Sequence, residues 1–309
     1  MGRCLRFRNF LWEILKEVCL VANVLILNPV SGGGYIMEKW PEIKRSLQGL
    51  DYTTVITDRP GHAEEIAREA VNNSAEYVIC AGGDGTLNEA LQAMVGTHTT
   101  LVPISAGTGS DFIKSSPLDA GSITGLIRDH RKKRIDCGIV RYQGGERYFL
   151  NILEIGFGAS VMMRVNAKKN SRGGNVFIRS ILREIWDLKY YEMVVGLSHG
   201  TEDMRATEII IANGKYFGGG MKASPDSVLD DGMLNVHIIK DIGMVRMLAG
   251  LSSLRNGRYV KKKTVRNMVL KNISVGGDPA PVEADGEVLG TTPAIISVVP
   301  ESVYVLSDS

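Results

Sequence analysis

At 309 residues the chain is longer than one hydrophobic core usually serves, so two domains are expected. An apolar content of 44% and a charged content of 23% are those of an ordinary soluble protein. A formal net charge of +2 excludes a strong global attraction to nucleic acid, so no nucleic-acid partner is expected.

Residues 1–20 open with an apolar, basic stretch, Leu5 to Leu20, interrupted by Glu13, Lys16 and Glu17. No small-residue cleavage site follows it, which argues against a signal peptide. An amphipathic surface helix and an extension outside the fold both fit, and the first strand pattern starts only near Val21. No run reaches the ~18 uncharged apolar residues that span a bilayer, so no transmembrane segment is expected.

Apolar runs at Val24 to Leu27, Tyr52 to Thr57, Tyr77 to Ala81 and Thr100 to Ile104 read as buried strands. Helical periodicity fills the gaps at Met37 to Leu47, His62 to Val71 and Leu87 to Val95. This alternation predicts a doubly wound α/β domain with a parallel sheet over residues 21–140. After Ile135 the pattern changes. Ile135 to Tyr142 and Arg147 to Leu153 flank Gly144-Gly145, a hairpin signal. Strand runs follow at Glu192 to Leu197, Thr207 to Ala212, Leu234 to Ile239, Val265 to Val275 and Ile295 to Val299, with helices at Val176 to Leu188 and Met244 to Leu254. Residues 141–309 therefore read as a mostly antiparallel, β-sandwich-like domain, whose last strand is free to return to the first domain.

The four cysteines, Cys4, Cys19, Cys80 and Cys137, form no C-x-x-C pair, and Cys80 lies inside a strand pattern. Neither zinc nor a disulfide framework is indicated, and a reducing cytoplasm fits. Basic runs at Arg128 to Arg134 and Lys261 to Lys263 read either as solvated segments or as contacts to an anionic membrane surface.

Three predicted strands of the first domain end in glycine-rich loops. These are Asn28-Pro29-Val30-Ser31-Gly32-Gly33-Gly34, Gly82-Gly83-Asp84-Gly85-Thr86 and Ala106-Gly107-Thr108-Gly109-Ser110-Asp111. Glycine lets successive backbone N–H groups point at phosphate oxygens, and a following helix N-terminus adds positive charge. One such loop is explained by turn geometry; three on one sheet edge point to a phosphorylated ligand. There is no Walker-type G-x-x-x-x-G-K-[ST] and no dinucleotide-binding G-x-G-x-x-G opening the first helix. Asp84, set among phosphate donors, would repel the ligand unless Mg²⁺ lay between them. The alternative is a cap on the helix near Leu87.

Asn28-Pro-x-Ser-Gly, Gly82-Gly-Asp-Gly-Thr-Leu-Asn-Glu89 and Gly107-Thr-x-x-Asp111, with Pro225-Asp-x-x-Leu-Asp-Asp231-Gly232 and Asp285-Gly286-Glu287, resemble the bacterial diacylglycerol kinase family of soluble lipid kinases. Sphingosine and ceramide kinases share its catalytic domain. The resemblance runs from about residue 22 onward. It implies transfer of the γ-phosphate of ATP to a lipid hydroxyl, most simply one of the diacylglycerol type, at a membrane surface. It assigns nucleotide contacts to Asn28, Pro29, Val30, Ser31, Gly32, Thr57, Gly83, Asp84, Gly85, Thr86, Leu87, Asn88, Glu89 and Thr108. A structural Mg²⁺ would take the Asp231 side chain and the carbonyls of Val228 and Met233, although Asp230-Asp231-Gly232 reads equally as a surface turn. Asp285-Gly286 on its own is an ordinary hairpin turn. In the family context it supplies the proton acceptor, as Asp285 or Glu287, with Asp111 and Asp136 completing a carboxylate network around Asp84. Ser110 stands where the family usually has Asn, which shortens the reach of that side chain. The alternatives are an NAD kinase, which carries the same Gly-Gly-Asp-Gly-Thr loop, and a nucleotide- or lipid-sensing module without catalysis. A homodimer is left open.

Overall fold

The computed structural model describes residues 23–105, 110–116, 118, 123–167 and 174–308, side chains excepted at 174–178 and 251. The expected extension over residues 1–20 and the expected Thr108 contact lie outside the described residues. The first half runs β1 (Asn23–Leu27), α1 (Tyr35–Ser46), β2 (Tyr52–Ile56), α2 (His62–Asn72), β3 (Tyr77–Ala81), α3 (Asp84–Met94), β4 (Thr100–Ile104), α4 (Asp111–Ser115) and α5 (Ile123–Arg128). The strands pair in parallel in the order β4-β3-β1-β2.

Every residue of β3 and β4 is buried, as continuous apolar runs demand when helices cover both faces. Alternation along β1 divides the two layers. Ile26 faces the core under α2 and α3, while Leu25 and Leu27 face Ile36, Ile43 and Leu47 on the other side. Ala63, Ile66, Ala67 and Ala70 form the helical stripe that packs α2 beside Leu87, Ala90, Leu91 and Met94 of α3. Because this stripe is mostly alanine, the two helices approach closely. Helix α3 begins at Asp84, three residues before the expected Leu87, so the Gly-Asp-Gly-Thr segment is itself the first helical turn.

The second half continues through β5 (Lys132–Tyr142), β6 (Gly145–Phe149), β7 (Ile152–Gly156), α6 (Phe157–Asn166), α7 (Gly174–Trp186), β8 (Tyr191–Leu197), β9 (Gly200–Ala212), β10 (Tyr216–Phe217), β11 (Met221–Lys222) and β12 (Leu234–Lys240). It ends with α8 (Met244–Arg255), β13 (Val265–Leu270), β14 (Asn272–Gly277), β15 (Pro281–Ala284), β16 (Glu287–Thr291) and β17 (Ala294–Leu306). Pairing is antiparallel along β16-β15-β7-β9-β8-β14-β17, with β12 and β13 beside β9 and with β6 and β5 beside β17. The expected architecture holds: an N-terminal α/β layer system and a C-terminal antiparallel sheet.

Three expected strands are drawn differently. Arg147 to Leu153 breaks at Leu150-Asn151, because the N–H groups of Leu150, Asn151 and Ile152 turn to the Asp285 carboxylate. Val265 to Val275 divides at Lys271 into β13 and β14. The last strand extends from Ala294 to Leu306; Ala294 to Ser297 pair with β14, and Tyr304 and Val305 pair in parallel with β4. One strand thus ties the two halves into a single sheet.

Candidate active site

The carboxyl ends of β1, β2 and β3 open onto one cleft. Asn28 holds the first loop to the second, its Nδ2 donating to Thr86 Oγ1 at 2.9 Å, while its Oδ1 accepts from Val30 N at 3.2 Å. Ser31–Gly34 form a short turn in which Gly32, Gly33 and Gly34 have φ of 62°, 72° and 96°, a run that side chains resist. A Cβ at Gly82 would lie 2.6 Å from Thr86 Oγ1, so glycine there lets the threonine pack under the loop. Beside Gly85 the space is open. Gly83, the N-cap of α3, brings no side-chain cap to the positive end of the helix dipole. Thr57 lies at the end of β2, its N–H bonded to Leu27 O at 2.9 Å.

Asp84 spans to the neighbouring loop. Its Oδ1 accepts from Ser110 Oγ at 2.9 Å and Phe112 N at 3.1 Å, and its Oδ2 accepts from Asp111 N at 2.9 Å. It therefore stabilises the start of α4 rather than capping α3. Ser110 is the N-cap of α4, accepting from Ile113 N at 3.4 Å, so the hydroxyl serves two partners at once. Asp111 Oδ2 accepts from Gly219 N at 2.9 Å, while its buried Oδ1 has no hydrogen bond and lies 3.5 Å from Lys114 Nζ. Burial, with Asp84 adding to it, raises the Asp111 carboxyl above the usual range.

Asp285 sits in the β15–β16 turn at φ 46°, a backbone state favoured by short polar side chains. Its carboxylate accepts from Leu150 N (2.7 Å), Asn151 N (3.0 Å), Ile152 N (3.0 Å) and Asn88 Nδ2 (3.0 Å). Burial lifts its pKa to about 6 against the backbone donors, which pull the other way. The Asn88 contact joins α3 of the first half to the turn of the second.

Between these carboxylates and the helices α6, α7 and α8 lies a cavity of about 740 Å³. Its walls are mainly apolar, with Val161, Met162, Ile181, Ile239 and Met247 among them, and Asp84, Asp111 and Asp285 open onto it. Glu154, Glu208 and Glu283 also line it, each buried.

The C-terminal residues 151–307 match the family model described as the YegS C-terminal NAD kinase beta sandwich-like domain, and residues 22–140 match the diacylglycerol kinase catalytic domain. The chain belongs to the diacylglycerol kinase/YegS family of lipid kinases. It is 27% identical over 289 residues to the "Diacylglycerol kinase" of Mycobacterium tuberculosis (strain CDC 1551 / Oshkosh), covering 91% of this chain and 93% of that one. It is 28% identical over 297 residues to the "Probable lipid kinase YegS-like" of Yersinia pestis (strain Pestoides F), covering 91% and 95%. Two solved Bacillus anthracis str. Sterne structures share the fold. One has a TM-score of 0.76 at 22% identity, covering 93% of this chain and 95% of its own. The other, described as a diacylglycerol kinase, has 0.66 at 19%, covering 93% and 97%.

Within this lipid-kinase frame, several residues expected in the site have their side chains engaged elsewhere. Leu87 is 1% exposed and its side chain belongs to the core beneath the loop. Glu89 Oε2 accepts from Ala63 N at 3.1 Å and holds the start of α2. Glu287 is exposed and paired with Arg147 at 2.7 Å, off the cavity wall. Asp136 does not join Asp84: its oxygens accept from Gly232 N and Glu301 N, each at 2.7 Å. The Asp231 turn is exposed and closed by Met233 N donating to Asp231 Oδ1 at 3.0 Å, beside the exposed Val228. Among the described residues no three His, Cys, Asp or Glu side chains converge on one point for a metal. The sequence reading missed Glu154, Glu208 and Glu283, because a strand glutamate looks like a solvent-facing one until its sheet face is known.

Proposed function

We propose that this chain transfers the γ-phosphate of ATP to a free hydroxyl of a lipid alcohol with a long apolar body, the class to which diacylglycerol belongs. The observation that carries the reading is the cavity of about 740 Å³, mainly apolar in its walls, onto which Asp84, Asp111 and Asp285 open. An apolar volume of this size fits acyl chains and not the polar dinucleotide of an NAD kinase.

The loop of Asn28, Pro29, Val30, Ser31 and Gly32, with Gly83, Gly85 and the start of α3, offers the backbone cradle a triphosphate needs. Asp84 and Asp111 fit Mg²⁺: they are neighbouring carboxylates, and one buried oxygen has no hydrogen bond. Bound there, Mg²⁺ would shield the phosphate charge from both carboxylates. Asp285 receives the proton of the acceptor hydroxyl. Its one side-chain donor among the described residues is the Asn88 amide, whose place an entering hydroxyl would take. The Asp231 turn, with the carbonyls of Val228 and Met233, presents hard oxygen donors that suit a second, structural Mg²⁺.

Approach to a membrane surface is supported by exposed apolar side chains on two of the helices that wall the cavity, α7 and α8. Trp186 is 74% exposed and Val245 75%, with Leu182 and Leu248 beside them in the sequence of the same helices. Arg246, Arg255, Lys262 and Lys263 line the cavity nearby. Apolar side chains flanked by cations favour anionic interfaces. The test is transfer from labelled ATP by Asp84→Asn and Asp285→Asn variants whose circular dichroism matches wild type. Both should lose transfer; full activity in either removes that residue from the mechanism.

A further inference from the structure

Phosphoryl transfer as described makes no use of the three buried glutamates. Glu154 is on β7, Glu208 on β9 and Glu283 on β15, three adjacent strands in which Glu154 pairs with Glu283 and Gly156 with Glu208. They are 6%, 2% and 3% exposed. The chain makes room for them: a Cβ at Gly158 would fall 2.3 Å from Glu154 Oε1. Gly158 N donates to Glu208 Oε2 at 2.6 Å, and Gly286 N donates to Glu283 Oε2 at 2.7 Å. Burial raises all three carboxyls, and Glu154 and Glu283 share a side-chain hydrogen bond.

Glu208 Oε1 is buried without a hydrogen-bond partner. So are Asn151 Oδ1 and Asp111 Oδ1, and all three residues line the cavity. The fully buried, unmatched polar atoms of this cavity, among the described residues, are therefore all oxygens. Glu283 is two residues from Asp285 along the same strand-turn segment, which sets the cluster beside the reacting hydroxyl. The cavity's basic side chains, by contrast, belong to α8 and the segment after it.

We propose that Glu154, Glu208 and Glu283 form a headgroup subsite selecting a lipid alcohol that carries further hydrogen-bond donors, hydroxyl or ammonium, beside the hydroxyl to be phosphorylated. This rests on the lipid-kinase reading and narrows its acceptor. A glycerol esterified twice brings one hydroxyl, which goes to Asp285, and ester oxygens that only accept. Those oxygens would face acceptors, and a buried polar group left unmatched costs about tenfold or more in discrimination. A hydroxyl finds an acceptor in these carboxyls whether or not they are protonated; an ammonium also draws them into the ionised form.

The test uses the full chain with ATP and Mg²⁺ and four acceptors in mixed micelles: dioleoylglycerol, monooleoylglycerol, the oleoyl ester of 1,3-propanediol, and a long-chain 2-amino-1,3-diol. Binding of short-chain soluble forms without ATP is measured by calorimetry alongside. Monooleoylglycerol or the amino diol should exceed the propanediol ester and dioleoylglycerol by about tenfold in kcat/KM, and Glu208→Leu should shrink that preference to about twofold. Glu208→Gln keeps an acceptor without charge, so it should spare a preference for hydroxyls and abolish one for the ammonium. The proposal is overturned if dioleoylglycerol or the propanediol ester is used as well as the donor-rich lipids, or if Glu208→Leu slows every acceptor equally. Should the variants not fold, the wild-type ranking decides. Donor-selective binding with no transfer keeps the subsite and removes the kinase reading, whereas unselective transfer does the reverse. Absence of binding to all four overturns the subsite.

Discussion

Four donors surround the Asp285 carboxylate, and three of them are backbone N–H groups of one broken strand. With its pKa at about 6, this group accepts a proton only above that pH. The expected kcat/KM profile falls about tenfold per pH unit below pH 6, and Asp285→Asn should lack this limb while losing about 10²-fold or more in rate. Stability runs in the same window with a definite sign. A carboxyl raised in the folded state holds its proton more tightly there than when unfolded. The stabilisation it gives is therefore complete below the ordinary carboxylate range and is lost as pH rises through about 6. Glu287 behaves differently. Its own side chain is exposed and its partner Arg147 keeps Glu64, so Glu287→Gln should change stability by under about 0.5 kcal/mol and transfer by under about threefold. A rate loss matching that of Asp285→Asn would restore Glu287 as proton acceptor.

At the scale of elements, Asp136 shows how a carboxylate outside the site supports it. Fully buried on β5, it accepts from Gly232 N in the Asp231 turn and from Glu301 N in the bulge of β17. Asp136→Ala would strand both N–H groups, and a loss of about 2–4 kcal/mol is expected, read as a fall in Tm with the KM for ATP unchanged. An altered KM with Tm intact would place Asp136 in the site instead. This role was not legible beforehand, since aspartate in a strand pattern next to Cys137 carries no sign of two partners 96 and 165 residues away. The break in Arg147 to Leu153 was hidden for the same reason: its cause, Asp285, lies 135 residues downstream of Leu150. What could be read was local. Continuous apolar runs marked β3 and β4, alanine-rich periodicity marked α2, and glycine loops marked the strand ends. Asn28, Gly83 and Asp84 drew notice through glycine-loop chemistry, whereas Asp285, in an ordinary-looking hairpin turn, drew it only through the family resemblance. Leu87, by contrast, followed a motif into the core.

For the whole molecule, β17 joins the parallel sheet to the antiparallel one, so the cradle on α3 and the turn carrying Asp285 are held across a common sheet. The exposed Trp186 and Val245 stand on the helices at the cavity wall. Trp186→Asp combined with Val245→Asp should lower sedimentation with anionic vesicles about tenfold or more, while ATP binding is retained. Equal sedimentation of variant and wild type would place the membrane-facing surface elsewhere. The central claim is that phosphate passes from ATP to an alcohol lodged in this cavity. Incubating the full chain with γ-labelled ATP, Mg²⁺, NAD and total membrane lipid, then identifying the labelled species, tests it most directly. A phosphorylated lipid alcohol, absent with Asp84→Asn, is predicted; label appearing only in NADP or in free phosphate would contradict the account.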